Sequence, residues 1–207
     1  RFAEDEDGDP ERALQWYRRA AKAKAQPLEA LQSQVALFLT RAQFGKAATR
    51  AESIVEFDPE AGRQLLADVY VAQADSARQG GAEMLPLAIS RYRMALQQRP
   101  ANLAIVRQLM DVLLLAIHLD EARELNDAAF AADELRGEQL FWSGRIHESA
   151  RDIDAARSDY RESYSLQPEQ DTVCLHLARL ALSDGQPDTA REWLSRGVSA
   201  AGESPRS

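Results

Sequence analysis

The chain has 207 residues with 28% charged and 45% hydrophobic side chains, few Gly and Pro, and a net charge of −8. This is the balance of an ordered, helix-rich protein and not of a disordered tail, and the longest apolar run, Val112–Ile117, is far below the ~20 residues of a membrane-spanning helix. The basic residues are scattered over an acidic background, which excludes the basic face that phosphate-backbone recognition needs, so no nucleic-acid partner is expected.

The N-terminal stretch carries Glu4, Asp5, Glu6, Asp7 and Asp9, read as a solvated helix end and loop. The chain begins at Arg1 with neither an initiator methionine nor a signal segment, as an excised piece of a longer protein would. One cysteine, Cys174, leaves no intrachain disulfide and no redox compartment to infer. The excess of Arg (22) over Lys (3), with many alanines, suggests a GC-rich bacterial genome.

Six alanines set a frame along the chain: Ala13, Ala47, Ala88, Ala122, Ala156 and Ala190, with gaps of 34, 41, 34, 34 and 34 residues. Four positions after each stand Tyr17, Ala51, Tyr92, Asn126, Tyr160 and Leu194; seven after stand Ala20, Ile54, Ala95, Ala129, Ser163 and Gly197. Offsets of 0, 4 and 7 share one helix face. Small residues at 0 and 7 permit a close neighbour, and the larger residue between them fills the groove. Pro59, Pro100 and Pro168 stand twelve after the frame alanine in three copies and stop the helix.

A second amphipathic helix precedes each frame alanine, as in Leu31, Gln34, Val35 and Phe38, or Val106, Leu109, Met110 and Leu113. Later copies give Leu140, Ser143, Gly144 and His147, then Cys174, Leu177, Ala178 and Ala181. Each unit of 34 residues is a helix, a short turn and an antiparallel helix. The repeats read as a truncated unit over 1–27, then 28–61, 62–102 with a seven-residue insertion, 103–136, 137–170 and 171–204. The insertion falls between Ala72 and Ala88, with Gln79-Gly80-Gly81 as its turn. It predicts a lengthened first helix, then the longest connection of the array, with Pro86 at the first position of the next helix. Whether it touches a partner or is merely tolerated stays open.

This pattern resembles the tetratricopeptide repeat, over residues 1 to about 201. The first large position is never Trp, and Asn126 and Ala51 replace the usual aromatic, which predicts looser packing there. The resemblance implies an all-α, right-handed superhelical solenoid of antiparallel helix hairpins, with about eleven full helices and a truncated one at the start. Asp120, Asp154 and Asp188 recur in Asp-x-Ala-Arg tetrads and are expected to cap the second helices. Arg123, Arg157 and Arg191 follow in phase, as an anion-binding ladder or as solvated surface charge. The tail from Gly202 reads as a linker or a natural terminus.

No phosphate-binding loop, His-Glu-x-x-His or Cys-x-x-Cys motif occurs. His118, His147 and His176 fall at different phases of the repeat, against a shared zinc site, and Cys174 takes a packing position. No catalytic residue, cofactor or metal is expected.

The resemblance implies a concave surface lined by the first helix of each hairpin. The family's groove positions map onto Arg107, Asp111, Phe141, Trp142, Arg145, His176 and Arg179, the Arg-plus-aromatic chemistry of interface hot spots. The competing reading has Phe141 and Trp142 packed between repeats and the arginines paired with Asp111 and Glu148. The Lys and Asn positions with which chaperone-binding relatives clamp a terminal carboxylate are absent. The implied function is a monomeric protein- or peptide-recruiting scaffold, in a setting such as bacterial envelope assembly or polysaccharide export, in periplasm or cytoplasm. The alternatives are a sensor array that switches an attached domain, or the non-catalytic part of a larger enzyme.

Overall fold

The computed structural model describes Gln15 and residues 27–56, 58–168 and 171–203. The expected truncated first repeat lies outside these residues apart from Gln15 and Pro27. The described residues form ten α-helices and two single 3₁₀ turns, and among them there is no strand. The helices are α1 (Pro27–Thr40), α2 (Phe44–Val55), α3 (Pro59–Gln79), α4 (Leu85–Gln98) and α5 (Leu103–Leu115). They continue as α6 (Leu119–Ala129), α7 (Arg136–Ser149), α8 (Ile153–Leu166), α9 (Asp171–Ser183) and α10 (Pro187–Glu203). Gly202 and Glu203, expected in a linker, thus belong to α10. The chain divides into two compact units, Arg1–Leu109 and Met110–Ser207.

In the first unit α1 pairs with α2 and α3 with α4, and α2 also packs on α3. Its core joins Leu31, Val35 and Phe38 of α1 to Ala47, Ala51 and Ile54 of α2 and to Leu66 and Val69 of α3. In the second unit α6 lies on α7, α7 pairs with α8, α8 packs on α9, and α9 pairs with α10. Its core sets Ala156 and Tyr160 of α8 against Val173, Leu177 and Leu180 of α9.

The frame alanines 47, 88, 122, 156 and 190 are all buried. Ala51, Tyr92, Asn126 and Tyr160 below them are buried too, while Leu194, the equivalent residue of α10, is 41% exposed. The close approach shows at Ser163, whose hydroxyl donates to the Gly137 carbonyl at 2.7 Å. At Gly144, a Cβ would lie 2.7 Å from the Tyr160 ring. Asn126 is buried, donating from its amide to the Gln139 carbonyl at 3.1 Å. Its amide oxygen has no hydrogen-bond partner.

The insertion is absorbed by α3, which at 21 residues is seven longer than α1 or α7, close to two helical turns. Gly80 and Gly81 end it, Gly81 at φ 96°, and a 3₁₀ turn over Ala82–Met84 leads into α4, where Leu85 precedes Pro86. The longest described connection is a different one. Residues 130–135 between α6 and α7 outnumber residues 80–84; they hold the buried Phe130 and a 3₁₀ turn over Asp133–Leu135.

The expected capping aspartates require a correction. α8 is capped by Asp152, whose carboxylate accepts from the Ala155 amide at 3.2 Å, and Asp154 sits inside the first turn. α6 begins after His118 without a side-chain cap. Asp120 and Asp188 lie one residue inside their helices and take Arg123 at 2.9 Å and Arg191 at 2.6 Å, the exposed i,i+3 geometry. Arg157 instead reaches Asp184 in the turn between α9 and α10. The three arginines thus form surface ion pairs and not an anion ladder.

The hairpin turns share a device that periodicity did not reveal. Ala42 (φ 53°), Ile117 (φ 59°), Arg151 (φ 66°) and Gly185 (φ 70°) each stand five residues before a frame alanine, in the left-handed region. The next amide in each case reaches back into the preceding helix: Gln43 to Phe38, His118 to Leu113, Asp152 to His147 and Gln186 to Ala181, at 2.8–2.9 Å. This is the Schellman closure of a helix end, in which glycine is the unstrained residue.

Two outcomes follow. Gly144→Ala is expected to lower stability by about 1–2 kcal/mol, since overpacking against a fully buried ring outweighs the helix-propensity gain; a denaturant melt measures it, and an unchanged midpoint would show that the ring yields. Ile117→Gly is expected to raise stability by about 0.5–1 kcal/mol, because a β-branched residue pays ~1–2 kcal/mol in this conformation and glycine's entropy returns only part of it; thermal melting of the two proteins decides.

Candidate functional site

The second unit holds an open cleft of about 620 Å³. It is lined by Leu114, Leu115 and Ile117 at the end of α5, by Arg145, Glu148, Ser149 and Arg151 at the end of α7, by Ile153 of α8, and by His176, Arg179, Leu180 and Ser183 of α9. The repeat explains the convergence. Residues 145 and 179 are 34 apart, as are 117 and 151, so equivalent positions of successive hairpins face one opening.

Of the residues expected to face a partner, Arg145, His176 and Arg179 line this cleft, and Asp111, Phe141 and Trp142 are not among its lining residues. Arg107 is exposed on α5, within the first unit. Trp142 is buried, with its indole N–H donating to Glu138 at 3.3 Å, so it presents no face to a partner. Its ring instead carries Arg145, whose guanidinium lies 4.8 Å from the indole centroid and 5.9 Å from that of Phe141. Arg145 is ion-paired with Asp111 and Arg179 with Glu148. Phe141 is half-buried, edge-on to Trp142 at 5.4 Å and to His176 at 5.7 Å. The competing reading of these residues as packing and pairing groups therefore describes Trp142 and both arginines.

Glu148 is the centre of a network. Its carboxylate accepts from the Tyr160 hydroxyl at 2.9 Å and from Nδ1 of His176 at 3.1 Å, besides Arg179. The Tyr160 and His176 rings lie 4.9 Å apart. Burial by itself would raise the Glu148 carboxyl, but the hydrogen bonds from His176 and Tyr160 and the Arg179 charge outweigh it and hold the group below the usual glutamate range. Burial, and then the Glu148 charge, pushes the Tyr160 phenol well above its ordinary value, so it stays a donor. The network ties three helices: α7 through Glu148, α8 through Tyr160, α9 through His176 and Arg179.

The other histidines pair separately, His147 with Asp159 at 2.9 Å and His118 with Glu121 at 3.8 Å. Among the described residues no group of three or more His, Cys, Asp or Glu is placed to hold a metal ion. Cys174 is buried, which pushes its thiol up, and a Cβ on Gly197 of α10 would lie 3.1 Å from its own Cβ. Sequence reasoning missed Ile117 and Arg151 as cleft residues, because both lie in turns that a helix-position map does not reach.

Tandem antiparallel helix pairs, joined by closed turns and packed through a stripe of small residues, define a helical-hairpin repeat protein. Residues 149–206 match the family model of the tetratricopeptide repeat. No curated protein sequence matches the chain. Among solved structures the chain is similar to MamA 41-end from Desulfovibrio magneticus RS-1, at 14% identity and TM-score 0.56 over 93% of this chain and 97% of that one. It is also similar to a crystal structure of MamA, at 13% identity and TM-score 0.52 over 80% and 93%. YrrB, described as a TPR protein with an unusual peptide-binding site, gives 16% identity and TM-score 0.51 over 90% and 93%. The family model thus covers the C-terminal part of the chain, and the solved structures show that the fold as a whole is that of a helical-hairpin solenoid.

Because the folded Glu148 is the stronger acid, its contribution is fully present above the unfolded glutamate pKa and is lost as pH falls through the depressed folded value. Glu148→Gln is expected to cost on the order of 1–3 kcal/mol at neutral pH, since it leaves Arg179 and His176 without their acceptor charge. It should also flatten the acid limb of the stability curve. Melts of both proteins from neutral to acid pH test this; parallel curves would remove Glu148 from the account.

Proposed function

We propose that this chain is a non-catalytic docking scaffold that holds a protein or peptide partner in the second-unit cleft. The observation that carries this reading is the cleft's mixed lining. Leu115 and Ile117 are 61% and 71% exposed beside three arginines, in a concavity large enough for several side chains. Exposed aliphatic side chains cost solvation unless a partner covers them, and arginine beside them gives orientation. Glu148 of the cleft is held by Tyr160, His176 and Arg179, and Arg145 by Asp111. That arrangement suits a rigid wall better than proton transfer. The peptide-binding site in the description of YrrB supports the same use of the fold.

The test uses Ser149→Trp, which places a large ring in the cleft from an exposed position. The substitution should leave stability within about 0.5 kcal/mol and abolish capture of the partner that the unaltered protein retains from lysate of the source cell. Undiminished capture by the substituted protein would move docking to another face.

A further inference from the structure

Two turn residues line the cleft, Ile117 and Arg151, and the turn itself requires neither side chain. Both sit in the left-handed region, at φ 59° and 66°, and the same position of the next hairpin is Gly185. The closure hydrogen bonds there are the same, Gln186 to Ala181 at 2.9 Å against Asp152 to His147 at 2.9 Å. Glycine therefore serves the turn, and at 117 and 151 the chain carries a β-branched and a long cationic side chain against the backbone preference. Strain of this kind, held at a concave site, points to use of the side chains themselves.

Charge says what they are used for. Arg145 and Arg179 each have an internal carboxylate, Asp111 and Glu148. The Arg151 guanidinium is exposed. With those two pairs closed, Arg151 is the cation of the lining left without a side-chain partner among the described residues, on a chain of net charge −8. An acidic ligand is repelled by the molecule as a whole and attracted here, which gives orientation as well as affinity. The aliphatic side chains of Leu115 and Ile117 stand free on the α5 side of the same opening.

We propose that the cleft selects an acidic–aliphatic peptide segment, with a carboxylate on Arg151 and a neighbouring aliphatic side chain between Leu115 and Ile117. This rests on the docking reading above and adds the class of ligand. Fluorescence anisotropy with three labelled peptides tests it: alternating Glu and Leu, the same with Gln for Glu, and polyglutamate without Leu. The Glu–Leu peptide is expected to bind saturably and more weakly as salt rises, with the other two at least about tenfold weaker. Arg151→Gln, which keeps the turn's backbone as it is, should lose about tenfold for the Glu–Leu peptide. Arg151→Gly should lose the same while its melting temperature holds or rises, so that lost affinity cannot be lost folding. Absence of saturable binding, equal binding of the Gln–Leu peptide or polyglutamate, or unchanged affinity in both Arg151 variants would overturn the proposal. If the partner captured from lysate is still lost on Ser149→Trp in that case, the docking reading stands and only the ligand class falls.

Discussion

The approach of each second helix to the helix before it is the contact on which the rest of the array depends. Frame alanines bring the backbones close, and a larger side chain four residues on fills what the alanine leaves open. Between α7 and α8 the fit is tight enough that Gly144 has no room for a methyl against Tyr160, and Ser163 reaches the Gly137 backbone directly. Interiors packed this closely transmit small volume changes as strain. A repeat unit therefore tolerates variation at its surface far better than along this stripe.

Tyr160 shows how packing and the cleft are coupled. Its ring is fully buried between α8 and α9, yet its hydroxyl serves Glu148 on α7. The same residue closes the core and fixes the carboxylate that orients His176 and Arg179. Because the phenol is pushed up and Glu148 is pushed down, each stays in the protonation state the other needs. The cleft wall is thus an outgrowth of the core, which keeps its side chains in one arrangement before any partner arrives.

The turns add a second constraint. A hairpin closed by a left-handed residue redirects the chain within three residues and satisfies the last carbonyls of the first helix. Repetition at 34-residue spacing puts the turn residues 117 and 151 on one opening. The departure at α3 is instructive: two added helical turns keep the hairpin's pairing with α4 but replace this closure with Gly81 and a 3₁₀ turn. Lengthening by whole turns preserves the buried face, because seven residues return a helix to nearly the same angle.

The repeat, its phase and its buried stripe were legible in the sequence, because they follow from local geometry: offsets of 0, 4 and 7 on a helix face specify which side chains meet a neighbour, whatever that neighbour is. The lengthened α3 was legible for the same reason. Which aspartate caps α8 was not, since Asp152 and Asp154 differ by two residues and only the backbone angles of the turn decide between them. The burial of Trp142 and the pairing of Arg145 with Asp111 and of Arg179 with Glu148 were legible only as one of two readings that the sequence left open. Helical phase gives the side of the helix a residue occupies, and pairing depends on distances across hairpins that the phase does not contain. Ile117 and Arg151 mark the sharpest division. Their residue types favour other backbone conformations, and only the closed turn, imposed by the antiparallel packing of the helices it joins, forces them into the left-handed region and turns their side chains into the cleft.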